Sequence, residues 1–318
     1  MKPANYGPCS LLIHSIIDFR HGLSVSLMMV SIGTILMACN TGGGGETKTS
    51  VVTTMYPMEY FAQRIGGEEV SVVNLLKPGA EAHSFEPTPD DIHKLDTADV
   101  IIYNGSGFEP WIDRALSTIS DSGGPRFITE ASYELGQESD AGEIDPHVWL
   151  DPLKAMDQVN LIRDTLSSAN PDAAPYFSAN AQELLTELSS LHQTFLLGIA
   201  DCALDRFVTP HAAFGHLAER YGLEQIPISG LSPEAEPGPT DLARITDAAR
   251  KLGINYVMVE PIVSAAYAET LAREVGAQLL PLHPLASLTL DEANRGEDYF
   301  PIMHANLDSL RLALECQT

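Results

Sequence analysis

The stretch AAPYFSANAQELLTELSSLHQTFLLGIA, residues 173–200, holds no glycine except Gly198 and no proline except Pro175. Along it Leu184, Leu185, Leu188, Leu191, Phe195 and Leu196 recur at spacings of three and four, the pattern of an amphipathic helix. At 1.5 Å per residue such a helix spans about 40 Å. That is long for a helix inside one small lobe and suits a strut between two.

The sequence on either side of this strut follows one scheme. Before it, the β-branched runs 51–56 (VVTTMY), 70–76 (VSVVNLL), 100–104 (VIIYN) and 126–129 (RFIT) read as strands. Helical patterns separate them. One opens at Pro57 and stops at Gly66-Gly67, and two more cover 110–120 and 152–168. Another opens at Thr88-Pro89-Asp90-Asp91, with a capping Thr, a proline in the first turn and acids at the positive end of the dipole. After the strut, 207–209, 225–229, 256–259 and 278–282 read as strands, each followed by a helix, with Gly222, Gly253 and Gly276 as stop signals. The expected architecture is α/β, two lobes with mostly parallel four-stranded sheets joined by one long rigid helix. The boundaries fall at an N-terminal lobe of residues 49–172, a linking helix of 173–200 and a C-terminal lobe of 201–318.

The N-terminus reads as something other than fold. Arg20 and His21 precede an apolar run over 22–37 that is short for a membrane span but fits the core of a signal peptide. The run ends in Leu36-Met37-Ala38-Cys39, which resembles a bacterial lipobox. The resemblance implies removal of residues 1–38 as a signal peptide and lipidation of Cys39. Residues 39–48, with NTGGGGE at 40–46, then form a flexible lipidated tether. With Cys39 acylated, Cys202 and Cys316 remain as two thiols in an oxidising compartment, where a pair tends to form a disulfide. The formal charge of −25 argues against a nucleic-acid partner, which would need clustered Lys and Arg, and suits a protein that attracts cations.

The chemistry lies in the histidines. His83 lies beyond the second strand in PGAEAHSFEPTP, and His147 in DPHVWLDP before the following helix. His211 follows the fifth strand in FVTPHAAFGHLAERYGL, and His283 follows the eighth in LLPLHPLASL. Open parallel sheets bind ligands at the carboxyl ends of their strands. Histidines at those ends in both lobes therefore define a metal site in the cleft, and neutral imidazole is a preferred zinc ligand. His83, His147 and His211 are the main ligand candidates. The fourth position is open between His283, Glu81 and water. His216 falls on another helix face from His211, and His93, His192 and His304 read as surface residues.

The motifs HSFEPTPDDIHKLDTADVIIYNGSGFEPWID, DPHVWLDP, VTPHAAFGHLAERYGLEQIPISGLSPEAEP and LHPLASLT together look like the zinc-binding receptors of ABC importers, the cluster A-I or ZnuA-like family. The resemblance covers nearly the whole chain beyond the tether. It implies two α/β lobes on one long helix and Zn2+ held as the transported ligand by His83, His147 and His211. It also implies an ABC importer's membrane permease as partner, no enzymatic activity, an extracytoplasmic membrane-anchored lipoprotein and a monomer. Manganese-binding relatives commonly carry Glu where this chain has His211, so the nitrogen there points to zinc. A manganese or iron receptor of the same fold is the nearest alternative.

Two departures stand out. The stretch ELGQESDAGEIDPH has no histidine before His147, unlike the His-rich loop of many zinc receptors. Ala286 in HPLAS stands where relatives often place a carboxylate. Two further alternatives are a zinc hydrolase, with Glu260 in VMVEP as the only evident strand-end base of the second lobe, and an adhesin in which the histidines are incidental. Proton competition with ligand histidines of ordinary pKa predicts a steep fall in zinc affinity between roughly pH 7 and 5.

Overall fold

The β-branched run after Lys48 forms β1 (Thr49–Thr53), and three β-α steps complete the first lobe in a computed structural model of the chain. The residues described are 48–120, 124–132, 135, 137–138, 144–235 and 237–317. The expected signal peptide, Cys39 and the tether up to Thr47 lie outside them.

The steps are α1 (Tyr56–Gly66), β2 (Val70–Asn74), α2 (Pro89–Thr97), β3 (Val100–Tyr103), α3 (Ile112–Ser120) and β4 (Phe127–Glu130). Their sheet has the order β2-β1-β3-β4 and every pairing in it is parallel. The start of α2 is the predicted one: Thr88 and Asp91 form a reciprocal capping box. A short antiparallel ribbon follows, β5 (Gln137–Glu138) and β6 (Ile144–Asp145), which the sequence does not announce. Then come α4 (Pro152–Ala169) and the linking helix α5 (Ala174–Gly198).

The second lobe repeats the scheme with β7 (Arg206–Thr209), α6 (Gly215–Arg220), β8 (Glu224–Pro227), α7 (Pro239–Leu252), β9 (Tyr256–Val259), α8 (Ala266–Val275) and β10 (Gln278–Pro281). Gly253 and Gly276 cap α7 and α8 in the left-handed region, φ 67° and 77°, where a Cβ would be strained. The sheet order is β10-β9-β7-β8, again all parallel. Two helices close the chain, α9 (Leu290–Arg295) and α10 (Tyr299–Ala313).

Counted within its own lobe, each sheet runs second, first, third, fourth strand. The chain leaves the first strand toward one edge and returns toward the other, so a crevice opens at the carboxyl ends where the order reverses. The linking helix is 25 residues long, about 37 Å. It buries Phe177, Ala181, Leu184, Leu188, Leu191 and Phe195, one stripe at spacings of three and four, against α1, α4 and α10. Leu196 is not on that stripe. It is 45% exposed, because the buried line runs through Phe195 and a neighbour 100° away points to solvent.

The lobes share one core. Residues Thr47–Thr318 form a single compact unit, and Phe61, Trp149, Phe177, Phe195, Phe214 and Tyr299 belong to one buried cluster. Polar bonds cross the same junction. The Trp149 indole donates to Pro284 O at 2.8 Å, and the Tyr299 hydroxyl donates to Trp149 O at 2.6 Å. Arg220 at the end of α6 grips both oxygens of Asp151, the buried N-cap of α4, at 2.9 and 3.1 Å from Nε. At the far end of the second lobe Cys202 and Cys316 are joined by a disulfide, flanked by Leu204 N–H donating to Leu314 O. Among the described residues no helix is long and apolar enough to cross a membrane.

Candidate metal centre

His147 and His211 sit two residues past a strand end and His83 lies in the loop that follows β2, and local bonds fix each in place. His83 lies in the loop between β2 and α2. The Glu81 carboxylate accepts the backbone N–H of His83 at 3.0 Å and of Ser84 at 2.7 Å, which turns the loop inward. His147 follows β6 and opens the single helical turn Val148–Leu150. Behind it, the Asn104 amide donates to Pro146 O at 3.0 Å, while Asn104 N–H and Gly105 N–H donate to the buried Glu109 carboxylate. His211 lies two residues beyond β7, and its carbonyl accepts from Thr209 Oγ1 and Gln225 Nε2.

The three rings converge. Their centroids are 5.3, 5.4 and 5.7 Å apart, and one ligand nitrogen from each lies within 4.8 Å of the others. The Nε2 atoms of His83 and His147 are 3.3 Å apart. Phe108 packs against His83 at 4.6 Å and walls the site from the first lobe.

Two of the rings are held from behind by carboxylates. His147 Nδ1 meets Asp145 Oδ1 at 2.8 Å, and His211 Nδ1 meets Glu260 Oε1 at 2.6 Å. A carboxylate accepts only, so each Nδ1 carries the proton and each Nε2 lone pair faces the cleft. Topology explains the second pair: β7 and β9 are neighbours, so Glu260 just past β9 stands beside His211. His211 Nε2 and Glu260 Oε2 are both buried without a hydrogen-bond partner among the described residues. A buried ligand nitrogen without a protein partner, at the meeting point of three imidazoles, fits a cation-binding role.

Burial keeps two of the rings, His83 and His147, neutral. Burial, then the nearness of His147 and His211, pushes His83 down to about 2. Burial also lowers His147, against the pull of Asp145. Burial raises Asp145, but its bonds from His147 and the His147 and His216 rings bring it below the ordinary carboxylate value. The pair is therefore a neutral imidazole donating to an ionised carboxylate, the state a metal ligand requires.

The structure does not bring His283 to this cluster. Its Nδ1 accepts the Leu285 N–H at 2.8 Å and its Nε2 meets Glu292 Oε2 at 3.1 Å, so neither ring nitrogen is free. Its backbone is pinned as well, with N–H on Asn306 Oδ1 at 2.7 Å. The bond from His283 holds Glu292 down to about 2, so the partner is a carboxylate. The Glu81 oxygens are engaged by backbone N–H groups. His283→Ala is therefore expected to leave metal affinity within about threefold of the parent while lowering stability by about 1–2 kcal/mol through loss of the buried bonds. Isothermal titration beside a denaturant melt checks both. A tenfold loss of affinity would return His283 to the ligand set.

The remaining histidines divide. His93 and His304 are exposed, as expected. His216 is buried with its Nε2 on Asp145 O at 2.9 Å, a bond from the second lobe to the ribbon that carries His147. His192 is half-buried, stacked on Tyr221 at 5.7 Å rather than free on the surface. Asp145 and Glu260 are the residues whose roles the sequence does not disclose. The only hint is that each is a carboxylate at a strand end, Asp145 two residues from its histidine.

Comparison with known proteins agrees with this geometry. The family described as "Zinc-uptake complex component A periplasmic", ZnuA, matches residues 51–313. The zinc-binding lipoprotein AdcA of Streptococcus pneumoniae is 35% identical over 303 residues, covering 90% of this chain. This chain spans only 60% of that protein's length. The high-affinity zinc uptake system protein ZnuA of Bacillus subtilis is 34% identical, covering 88% of this chain and 94% of its own. The crystal structure of the Zn(II)-bound ZnuA-like domain of S. pneumoniae AdcA superposes with a TM-score of 0.74 at 36% identity, covering 85% of this chain and all of that domain.

Proposed function

The chain belongs to the ZnuA family of zinc-uptake complex components, and from that premise we propose that it is an extracytoplasmic receptor that binds one Zn2+ and delivers it to the membrane permease of an ABC importer. His83, His147 and His211 are the protein ligands. The observation that carries this reading is the convergence of one nitrogen from each of the three, from both lobes, on one point in the cleft. Three imidazole nitrogen donors in one cleft suit zinc, whose preferred shell is tetrahedral and rich in imidazole, better than manganese, which favours oxygen. The proposal includes a lipid anchor at Cys39, a monomeric receptor and lobe boundaries at residues 49–172, 173–200 and 201–318. Metal analysis and a zinc titration of the purified protein test it: one zinc per chain, displaced by neither manganese nor iron(II) at equal concentration. Absence of zinc binding, or preference for manganese, overturns it.

The pH dependence follows from the histidines. Zinc needs all three imidazoles neutral, and His83 and His147 both hold their protons more weakly than an ordinary histidine. They therefore do not compete with zinc near pH 6.5. The steep fall expected of three ordinary histidines gives way to a shallow one, no more than about tenfold per pH unit between pH 6.5 and 5. The metal-free fold feels the same depression as a greater sensitivity to acid. An imidazole depressed in the folded state gains its proton on unfolding, so stability is full above the unfolded value of about 6.5 and falls as pH drops below it. The slope is about 1.4 kcal/mol per pH unit for each such histidine. Melts of metal-free and zinc-loaded protein across pH 8 to 5 read both. A metal-free stability flat through pH 6 would contradict the depressed values.

A further inference from the structure

Three imidazoles bring no charge to a bound dication, and the two other candidate donors of the cleft are otherwise engaged: His283 with Glu292 and Leu285, Glu81 with backbone N–H groups. Ala286, on the cleft wall, has no donor to offer. Yet two carboxylates stand one imidazole away from where the ion sits. Asp145 and Glu260 each take the Nδ1 proton of a ligand ring, at 2.8 and 2.6 Å. Their combined charge of two equals that of a divalent ion, and the low-dielectric surroundings give it weight. The Glu260 side chain is 1% exposed and that of Asp145 is 11% exposed.

The two are not alike. Asp145 is shared, accepting the His147 N–H and Nδ1–H and facing His216 Nε2 at 3.8 Å. Among the described residues Glu260 has one hydrogen bond only. Its Oε2 is buried with no partner, although it lines the cavity that the three histidines share. A buried carboxylate oxygen left unpaired costs the fold about 1–3 kcal/mol or more. A glutamine in its place could accept the same Nδ1–H bond through its amide oxygen without that charge. Geometry alone therefore does not require Glu260. A cation two bonds further on does.

We infer that Glu260 is a positioning and specificity-determining residue of the site, which sets its preference for a divalent over a monovalent soft cation by balancing charge through the His211 ring. The inference rests on the three-histidine metal site proposed above. Through the hydrogen bond, the carboxylate raises the electron-donating power of His211 Nε2 and offsets the ion's charge. The gain scales with that charge, so it is larger for Zn2+ than for a monovalent ion on the same nitrogens.

The test compares the parent with Glu260→Gln, Glu260→Asp and the remote control Glu68→Gln, each titrated with Zn2+ and with Ag+, a redox-inert monovalent ion. The expected result is a 10- to 100-fold loss of zinc affinity in Glu260→Gln, with silver affinity changed less than about threefold. Glu260→Asp should recover part of the zinc loss, and Glu68→Gln, which removes the same unit of net charge from an exposed site, should match the parent. The metal-free melting temperature of Glu260→Gln should equal or exceed that of the parent, since an unpaired buried charge is gone. Equal zinc affinity in parent and Glu260→Gln overturns the inference. So does an equal loss for both ions, which would make Glu260 a purely geometric support. If the parent itself fails to bind zinc, the receptor reading falls instead, and the two failures are distinguishable.

Discussion

Replacing His211 with alanine is expected to weaken zinc binding by about 100- to 1,000-fold, whereas His192→Ala leaves it unchanged. The magnitude follows from sharing a typical protein–zinc binding free energy of about 10–16 kcal/mol over four ligands, which gives about 2.5–4 kcal/mol for each. The accompanying loss of stability is larger at this position than at the other two ligands. Among the described residues His211 Nδ1 is the only hydrogen-bond partner of Glu260, so removing the ring leaves both oxygens of a buried carboxylate without a bond. An unpaired buried charge destabilises by about 3–5 kcal/mol, and the metal-free protein should show it as a lowered melting temperature. His147→Ala removes a ligand but leaves Asp145 the His147 N–H and the neighbouring His216. Its zinc affinity should fall as far with a smaller loss of stability. Competition titration against a chelator of known affinity, with parallel melts, measures both. Equal affinities for His211→Ala and His192→Ala would refute the assignment of the site.

Why some of this is legible in the sequence and some is not depends on the range of the interaction involved. The linking helix is a local pattern, and the buried stripe from Phe177 to Phe195 appears in the spacing of its apolar residues. Strand ends are local too, so His211 and His283, each directly after a β-branched run, are legible as cleft residues, whereas His147 follows the ribbon strand β6 that the sequence does not announce. The capping box of Thr88 and Asp91 is written within four residues. The ribbon of β5 and β6 has two residues per strand, too few for any period to show. His283 was placed at the right strand end, but its ring direction depends on Glu292 and Asn306, which come from the two closing helices. Neither partner is marked in the sequence as belonging to that loop. Glu260 is the same case with a functional consequence. Nothing near VMVEP connects it to His211, 49 residues earlier, until β9 is seen to lie beside β7.

The disulfide offers the largest expected effect on stability with no effect on the metal. Cys202 and Cys316 are separated by 114 residues, so the bridge closes nearly the whole second lobe into one loop. The chain-entropy account assigns about 4–5 kcal/mol to a loop of this length, acting on the unfolded state. Set against a typical folding free energy of about 5–15 kcal/mol, that is a large share. Cys202→Ser with Cys316→Ser should lower the melting temperature by roughly 10–20 °C. The bridge precedes the amino end of β7, while His211 and Glu260 lie past the carboxyl ends of β7 and β9. The cleft bonds do not involve the bridged segments. The double variant should therefore bind zinc like the parent wherever it is folded, and zinc should raise its melting temperature in the usual concentration-dependent way. A loss of zinc affinity in the folded double variant would mean that the base of the second lobe and the metal cleft are coupled. A melting temperature within about 3 °C of the parent would mean that the short pairing of 202–204 with 314–316, which survives without the sulfurs, already restrains this lobe's ends in the unfolded chain.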